Sequence, residues 1–328
     1  MLRIGLVGAG VIARDHLAAL KEIGGARVVA VADVALARAQ ELAATVGAEA
    51  TPEAAALVGK VDAVWICSPP FLHAEQAVAF ADAKVHVFCE KPFTLELADA
   101  DRIIAACQRN GVHLMVGQVI RYFPETLEIK RRLEAGEAGE PVFALGRRLT
   151  GSTLRDLSPW ARDARLSGGF ALESGVHEVD TVRFLAGEVA SVSARVRYDD
   201  PEHPGFDTDF RALLKLRSGV GAEIAESRYS GLREWAWGVV GTRAALVSRR
   251  RGEVTIARMG EQDQVVAVDP VSRADGVNAT MLAENQAFVD AIRADREPPI
   301  PGREGRRNVE VVLAARQASR EDRTVELT

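Results

Sequence analysis

A glycine-rich turn closes a short apolar stretch at the start of the chain. Residues 2–7 are apolar apart from Arg3, Gly8 and Gly10 follow, and an amphipathic stretch runs to residue 23. This pattern is typical of a buried strand that turns directly into a helix. Such a turn binds phosphate, because Gly8 permits the bend, Gly10 has no Cβ, Ala13 lets the helix pack closely, and the first helical N–H groups face the anion. The predicted contacts to a pyrophosphate are Gly8, Gly10, Val11 and Ile12.

A carboxylate follows the second apolar run. Residues 28–32 end in Asp33, at the spacing from which an acidic residue accepts hydrogen bonds from an adenosine ribose. Asp33 therefore favours NAD, because the 2′-phosphate of NADP needs cationic partners and Val34 follows. Arg38, one helical turn further on, leaves NADP as an alternative. Another alternative is that Asp33 only caps the helix that begins near Leu36.

Length, charge and cysteine content limit the class of protein. A chain of 328 residues exceeds a usual single core, so we expect two domains. The net charge of -5 leaves no basic footprint for nucleic acid. No stretch approaches the roughly 20 apolar residues of a membrane span, and the N-terminus lacks a signal-peptide pattern, so we expect a cytoplasmic protein. Cys67, Cys89 and Cys107 lack C-x-x-C spacing, which predicts reduced thiols and no structural metal.

Strand-like and helix-like segments alternate over the first part of the chain. This alternation predicts a doubly wound parallel sheet, and ligands bind such sheets beyond the carboxyl ends of the strands. The predicted strands are 2–7, 28–32, 48–51, 61–67, 85–89 and 112–119, and the predicted helices are 11–23, 36–46, 53–58, 72–83 and 95–110.

Three strand ends carry candidate site residues. Ser68 and Pro69 follow the strand at 61–67, where we expect a rigid wall against the adenosine or the nicotinamide ribose. His73, at the start of the next helix, either contacts the cofactor or packs as a capping histidine. Arg121 and Tyr122 follow the strand at 112–119 and either bind substrate beside a nicotinamide or pack in a linker.

Glu90, Lys91 and Pro92 follow the strand at 85–89. A lysine at this position of an arginine-rich chain suggests a role in the reaction, because only lysine offers a compact ammonium whose pKa shifts readily on burial. Glu90 can pair with Lys91, and Pro92 stiffens the turn, with either isomer of the Lys91–Pro92 bond open. The alternative is an ordinary exposed turn.

Beyond Pro124 the periodicity changes to strict alternation. Residues 207–217 place apolar side chains on one face and polar ones mainly on the other, which predicts an antiparallel sheet covered on one side. Trp235, Trp237 and Val239 are expected on its open face, where a subunit partner would cover them. Further predicted strands are 141–149, 192–198, 220–229, 234–241, 244–248, 253–258 and 264–268, and the predicted helices are 125–135, 278–294 and 303–321.

A second group of candidate residues lies between 167 and 182. On a helix, Glu173, His177 and Asp180 share one side. Oxidising an alcohol requires a group that takes the hydroxyl proton, and a histidine flanked by carboxylates suits that task. The alternative is a structural histidine near a helix start.

Three motifs in register resemble one family. Gly8-x-Gly10-x-x-Ala13, Glu90-Lys91-Pro92, and Gly168-Gly169 with Glu173-x-Gly175-x-His177-x-x-Asp180 look like the glucose-fructose oxidoreductase / inositol 2-dehydrogenase / rhizopine catabolism (Gfo/Idh/MocA) family. The resemblance implies an α/β protein with an N-terminal Rossmann domain, residues 1–120. It also implies a C-terminal α/β domain, residues 121–328, with a large open, mostly antiparallel sheet through which homodimers or homotetramers form.

The resemblance also implies roles for single residues. Lys91 is the motif lysine, His177 the catalytic histidine, and Glu173 the acidic residue, a position that is commonly aspartate in inositol dehydrogenases. Glu90 and Lys91, which follow the strand at 85–89, are candidate cofactor contacts. The candidate substrate contacts are Arg121, Tyr122, Trp160, Arg162 and Asp180.

The predicted function is hydride transfer between NAD and a secondary alcohol of a sugar or polyol. The alternatives are an aldose-ketose oxidoreductase, an NAD-dependent glycoside-cleaving enzyme that retains its cofactor, and an inactive NAD-binding regulator, since Rossmann domains also serve as sensors.

Overall fold

The computed structural model describes residues 1–151, 157–198, 200, 202–269 and 277–327. Strands and helices alternate in its first part as predicted. They are β1 (Leu2–Val7), α1 (Val11–Leu20), β2 (Ala26–Ala32), α2 (Leu36–Ala44), β3 (Glu49–Thr51), β4 (Ala63–Ile66), α3 (His73–Asp82), β5 (His86–Cys89), α4 (Leu97–Asn110) and β6 (Leu114–Val116). The helix predicted at 53–58 is a single 3₁₀ turn, Ala54–Leu57. The strand predicted at 112–119 is shorter, because the 3₁₀ turn Val119–Tyr122 follows it closely.

The later part of the chain is mostly strand, again as predicted. Its elements are α5 (Pro124–Glu134), β7 (Pro141–Leu149), α6 (Pro159–Arg162), α7 (Ala164–Ser167), α8 (Val176–Ala186), β8 (Val189–Arg197), β9 (Asp209–Leu216), β10 (Gly221–Ser227), β11 (Glu234–Gly241), β12 (Ala245–Arg250), β13 (Glu253–Ala257), β14 (Gln264–Ala267), α9 (Ala279–Arg293), α10 (Gly302–Glu321) and β15 (Val325–Glu326). A π-helical turn, Ala171–Gly175, precedes α8.

The chain divides into two compact units. The first combines Met1–Val119 with Ser272–Arg307, and the second combines Ile120–Val271 with Asn308–Thr328. This differs from a division at residue 120, because α9 packs against the first sheet. Phe288 of α9 lies 5.4 Å from Trp65 and 5.9 Å from Phe88, between ring centroids.

The first unit contains a parallel sheet. Its described strands lie in the order β3-β2-β1-β4-β5-β6, and each pairs with its neighbours in parallel. All four residues of β4 are buried, because helices cover both faces. The order of connections reverses between β1 and β4, and ligands bind at such a switch point beyond the carboxyl ends of the strands.

The second unit contains a mixed sheet that is mostly antiparallel. Its described strands follow the order β14-β13-β12-β11-β7-β10-β9-β8-β15, and the pair of β7 with β10 is parallel. Burial alternates along β9, where Phe210, Ala212 and Leu214 are buried and Leu213 is exposed. The predicted alternation is therefore confirmed, with one face of the sheet covered by α8.

The prediction for the open face was wrong in one respect. Trp237 and Val239 are buried, and the rings of Trp235 and Trp237 contact Phe123, which precedes α5, at centroid distances of 5.7 and 6.1 Å. These aromatic residues thus face the helices, because their large apolar area is removed from water there. The opposite face carries Leu213, which is 64% exposed.

Three further findings concern the described residues alone. No helix among them combines the length and the apolar character that crossing a membrane requires. Cys67, Cys89 and Cys107 are free thiols in buried positions. In the same part of the chain, no three His, Cys, Asp or Glu side chains cluster as metal ligands would.

Candidate active site

The turn after β1 has no room for a side chain at Gly8. Its φ is +93°, and a Cβ there would lie 2.7 Å from the carbonyl oxygen of Cys67. The N–H of Gly8 donates to the carbonyl of Ala32 at 2.7 Å, which fastens the turn to β2. The tight bend predicted for Gly8 is therefore confirmed.

The N-terminus of α1 is open to a ligand. A Cβ built on Gly10 meets no atom within 4 Å, no side chain caps the helix, and Val11 is 80% exposed. The positive end of the helix dipole and its first N–H groups suit a pyrophosphate. The residues present therefore fit a dinucleotide, and Gly10, Val11 and Ile12 would hold its phosphates.

Asp33 is held in place by two backbone N–H groups. Its Oδ2 accepts from Ala9 and its Oδ1 from Ala35, both at 2.8 Å. Each carboxylate oxygen can accept a further hydrogen bond, so capacity for a ribose hydroxyl remains. The capping alternative fails in its simple form, because the residue before α2 is Ala35 and no side chain caps that helix.

His73 packs in the interior of the first unit, which is one of the two roles that the sequence left open. The ring is fully buried, with Nε2 2.8 Å from the carbonyl oxygen of Ser68 and Nδ1 3.1 Å from that of Pro92. Burial lowers the pKa of His73, because desolvation outweighs these carbonyl contacts. The histidine thus joins the turns after β4 and β5, and the Ser68 hydroxyl donates to Gln76 at 2.6 Å.

Glu90 is buried at the carboxyl end of β5, and its side-chain partner differs from the prediction. Oε1 lies 2.8 Å from Nε2 of His16, and Oε2 accepts the backbone N–H of Lys91 at 2.9 Å. Burial opposes ionisation, but the His16 hydrogen bond and the positive charge of Lys91 hold the pKa of Glu90 below its ordinary value. The Lys91–Pro92 peptide bond is cis.

In the second unit, His177 and Asp180 lie on α8, whereas Glu173 lies in the preceding π-helical turn. His177 is almost buried, at 8% exposure, and Glu173 is half-buried. The prediction of one continuous helical face therefore changes, because the wider π turn shifts Glu173 relative to α8.

Two side chains of the second unit bind the carboxylate of Asp180. Its carboxylate receives Nε and Nη2 of Arg121 at 2.8 and 2.7 Å, and the Asn308 amide at 2.7 Å. Because Asp180 and Arg121 are both buried, this bidentate pair is structural. This packing is what the linker alternative predicted for Arg121, half-buried Tyr122 follows it in the same 3₁₀ turn, and a substrate contact of either residue stays a prediction.

Trp160 and Arg162 lie on the short helix α6. Trp160 is half-buried, and Nε of Arg162 donates to the Leu157 carbonyl at 2.8 Å. Arg162 also lines a cavity of about 730 Å³, together with charged and aromatic side chains that include Arg165, Tyr198 and Arg316.

Sequence comparison covers nearly the whole chain. Residues 2–118 match the family described as "Oxidoreductase family, NAD-binding Rossmann fold", and residues 130–327 match its "C-terminal alpha/beta domain". The chain belongs to the Gfo/Idh/MocA oxidoreductase family. Its first domain is therefore an NAD-binding Rossmann domain, as the glycine turn and Asp33 predicted.

Individual family members are similar over their full length. The myo-inositol 2-dehydrogenase of Thermotoga maritima is 30% identical over 340 residues, covering 99% of this chain and 98% of that protein. The scyllo-inositol 2-dehydrogenase (NAD(+)) of Bacillus subtilis is 27% identical, covering 99% and 96%. The crystal structure of an NAD binding oxidoreductase from Klebsiella pneumoniae superposes with a TM-score of 0.88 at 25% identity, covering 100% and 99%.

Membership of the Gfo/Idh/MocA family fits the motifs but leaves their joint chemistry as a prediction. Lys91 belongs to the first unit, and Glu173 and His177 belong to the second. Lys91 follows β5 and His177 stands at the start of α8, as their motifs predicted, whereas Glu173 lies in the π turn rather than on the predicted helix.

Sequence reasoning missed the buried partners in this family member. His16 shares the buried face of α1 with Ala13, Leu17 and Leu20, so a polar residue on an apolar helix face was the available signal. Glu226 carried no such signal. It is fully buried on β10, where burial and the neighbouring Glu178 raise its pKa well above the ordinary value.

Proposed function

We propose that this protein is an NAD-dependent dehydrogenase that oxidises a secondary alcohol of a polyol or sugar, with inositols as the first substrates to test. The observation that carries the proposal is the full-length similarity to two inositol 2-dehydrogenases. The lysine of Glu90-Lys91-Pro92 and His177 are both present. A protein that only senses NAD has no need of both.

The cofactor contacts follow from the first unit. Gly8 shapes the turn, the N–H groups at the start of α1 bind the pyrophosphate, and Asp33 binds the adenosine ribose. Ser68 and Pro69 line the ribose beyond β4. When bound, NAD supplies the hydride acceptor for the alcohol carbon.

The chain's own groups move the proton and stabilise charge. His177 takes the hydroxyl proton as general base, since an imidazole titrates near neutral pH. Lys91 donates a hydrogen bond to the reacting oxygen and stabilises its developing negative charge. Glu173 orients His177 or binds a neighbouring hydroxyl, and Tyr122, Trp160 and Arg162 contribute to the substrate pocket.

Assembly and location complete the proposal. The face of the second sheet that carries Leu213 and charged side chains is the surface through which homodimers or homotetramers would form. The expected location is the cytoplasm, on the sequence grounds given above.

Substitution and cofactor titration test the proposal. NADH formation is measured with myo-inositol, scyllo-inositol and a sugar panel, and thermal shifts compare NAD with NADP, since ligands that bind the native state raise its stability. His177→Ala and Lys91→Ala should each lower kcat by about a hundredfold or more, with the NAD dissociation constant nearly unchanged. His113→Ala and Lys60→Ala, both outside the candidate site, serve as matched controls.

Unchanged turnover in both His177→Ala and Lys91→Ala would contradict the assignment. Product formation without net NADH would instead favour an aldose-ketose or glycoside-cleaving reaction with retained cofactor. Tight NAD binding with no turnover across the panel would identify a regulator.

A further inference from the structure

A buried chain of hydrogen bonds connects α1 to the strand end that carries Lys91. His16 has no exposed surface. Its Nε2 lies 2.8 Å from Oε1 of Glu90, and its Nδ1 lies 2.8 Å from Oδ1 of Asn285 on α9. All these residues belong to the first unit.

Trp65 determines which His16 nitrogen carries hydrogen. The indole Nε1 of Trp65 donates to Oδ1 of Asn285 at 2.7 Å. Because an indole N–H is a donor only, the amide must present its oxygen rather than its nitrogen at this point. Nδ1 of His16 faces the same oxygen, so Nδ1 is protonated and donates to it.

The second nitrogen faces a carboxylate. The low pKa of Glu90 keeps that group ionised at neutral pH. Nε2 of His16 and Oε1 of Glu90 are close enough, at 2.8 Å, to share one hydrogen bond. Titratable groups that interact electrostatically with this couple include Asp15 on the same helix, Cys67, His73, Cys89 and Lys91.

Glu90 transmits this restraint to Lys91. Its Oε2 accepts the Lys91 backbone N–H at 2.9 Å, and Oε1 lies close to the next strand end. A Cβ on Gly117 would stand 2.9 Å from Oε1, so the absent side chain at Gly117 leaves the space that the carboxylate occupies. Both oxygens of Glu90 are thus fixed, and with them the backbone from which the lysine side chain extends.

Stability alone does not explain a polar couple at this position. The neighbours of His16 on α1, Ala13 and Leu17, are apolar, and the ring packs edge-on to Phe88 at 5.1 Å. An apolar side chain would fit such surroundings, and replacing a buried ion pair by apolar residues is often neutral or stabilising. Retaining the pair therefore points to a role for the strand end that it restrains.

We propose that His16 is a positioning residue for Lys91, which acts by holding Glu90 against the Lys91 backbone. The inference rests on the proposed catalytic function of Lys91. A flexible lysine stem has many rotamers, so a fixed backbone origin reduces the volume that its ammonium samples.

A double-variant cycle on the full-length protein with NAD tests this inference. His16→Phe keeps the ring shape but loses both hydrogen bonds, and we expect kcat to fall about tenfold to a hundredfold, as for a slightly misplaced catalytic group. In the Lys91→Ala background the same change should alter kcat by less than about twofold, because its effect passes through Lys91. The NAD dissociation constant should stay within about twofold in every variant.

Two further variants separate positioning from folding. His16→Gln retains an N–H that can donate to Glu90, so it should recover most of the kcat that His16→Phe loses. Leu17→Ala removes an apolar neighbour on the same helix and should lower the thermal midpoint while leaving kcat unchanged. Should His16→Phe not fold, Glu90→Gln takes its place in the cycle.

The outcomes separate this inference from the proposed function. Equal losses of kcat from His16→Phe with and without Lys91, or no loss in either, overturn the positioning role. Unchanged kcat in Lys91→Ala alone overturns the proposed function instead. As a readout independent of turnover, the ¹⁵N ring signals of His16 in histidine-labelled protein should change in Glu90→Gln, because Nε2 contacts Oε1 of Glu90, and unchanged signals would also overturn the inference.

Discussion

Two buried glutamates, Glu90 in the first unit and Glu226 in the second, differ in the partners that their folds provide. Glu90 is 6% exposed and Glu226 is 0% exposed. Glu90 faces His16 and Lys91, and its pKa lies below the ordinary value. Glu226 faces another carboxyl group, Glu178, and burial together with that neighbour raises its pKa well above 4.5. Burial alone therefore does not decide the charge of a carboxyl group; the partner does.

The surroundings of Glu226 are polar but supply no close cation. Its Oε1 lies 3.4 Å from the Ser174 hydroxyl, and the Trp235 indole donates to Glu178 at 3.0 Å. Arg148 lowers the pKa of Glu226 only in part, because its guanidinium lies over Trp235, 4.4 Å from the ring centroid, and binds Ser174. Burial and the neighbouring Glu178 carboxyl group both disfavour a negative charge on Glu226, so its pKa is raised.

The two glutamates give opposite dependences of stability on pH. Glu90 has a lowered folded pKa, so its contribution is present above about 4.5 and is lost as the pH falls through the folded value. Glu226 has a raised folded pKa, so stability decreases as the pH rises above 4.5 toward that value.

The largest expected effect concerns Asp180, which shows that the second unit also builds a cation-paired carboxylate. Asp180→Ala removes the buried carboxylate that receives Nε and Nη2 of Arg121 and should lower the free energy of unfolding by about 3–5 kcal/mol, measured by urea denaturation. The double variant Asp180→Leu with Arg121→Met should be more stable than Asp180→Ala, because no buried charge remains. Equal free energies of unfolding for these two variants would contradict the view that the charged partner of a buried group determines its effect on stability.

A smaller loss is expected at Glu90. Glu90→Gln removes the charge that receives His16 and should lower the free energy of unfolding by about 1.5–3 kcal/mol at neutral pH. The difference from wild type should shrink as the pH falls below 4.5 and through the lowered folded pKa of Glu90, because the wild-type carboxylate becomes protonated there. A difference that stays constant with pH would argue against an ionised Glu90.

Glu226→Gln should have the opposite sign. The amide can donate to Glu178 without requiring a shared proton, so the thermal midpoint should equal or exceed that of wild type and the gap should widen between about pH 5 and pH 8. Glu223→Gln on the same strand, whose carboxylate meets Arg147 at 2.9 Å near the surface, is the matched control and should show no such trend. Parallel midpoints across this range would show that Glu226 is ionised throughout.

The smallest effect is expected for an exposed pair with equally short geometry. Arg3 and Asp62 meet at 2.6 Å, but their side chains are 50% and 36% exposed. Arg3→Gln should leave the thermal midpoint unchanged within error, because water and salt screen the pair. A loss of stability comparable to that of Glu90→Gln would mean that burial is not the reason why the paired carboxylates stabilise the fold.

Local sequence patterns predicted the elements of both sheets to within a few residues. Such patterns include the apolar run before Gly8, the motif lysine at residue 91 and the alternation along β9. Each depends on residues that are close together in the chain, where backbone sterics and side-chain burial determine local structure. The interpretation of Trp235 and Trp237 failed because period two reveals that a strand has two faces but not which of them a helix covers.

The roles of Asp180, Arg121, His73 and Glu226 were decided by tertiary structure. Their partners are Asn308, the carbonyl oxygens beyond β4 and β5, and Glu178, all brought near by folding rather than by adjacency in the chain. The order of residues thus determined the two-domain α/β architecture, the phosphate-binding turn and the family. Only the tertiary structure determined the direction in which the pKa of each buried carboxyl group shifts. Electrostatic interactions depend on distance and burial, which a linear sequence does not contain.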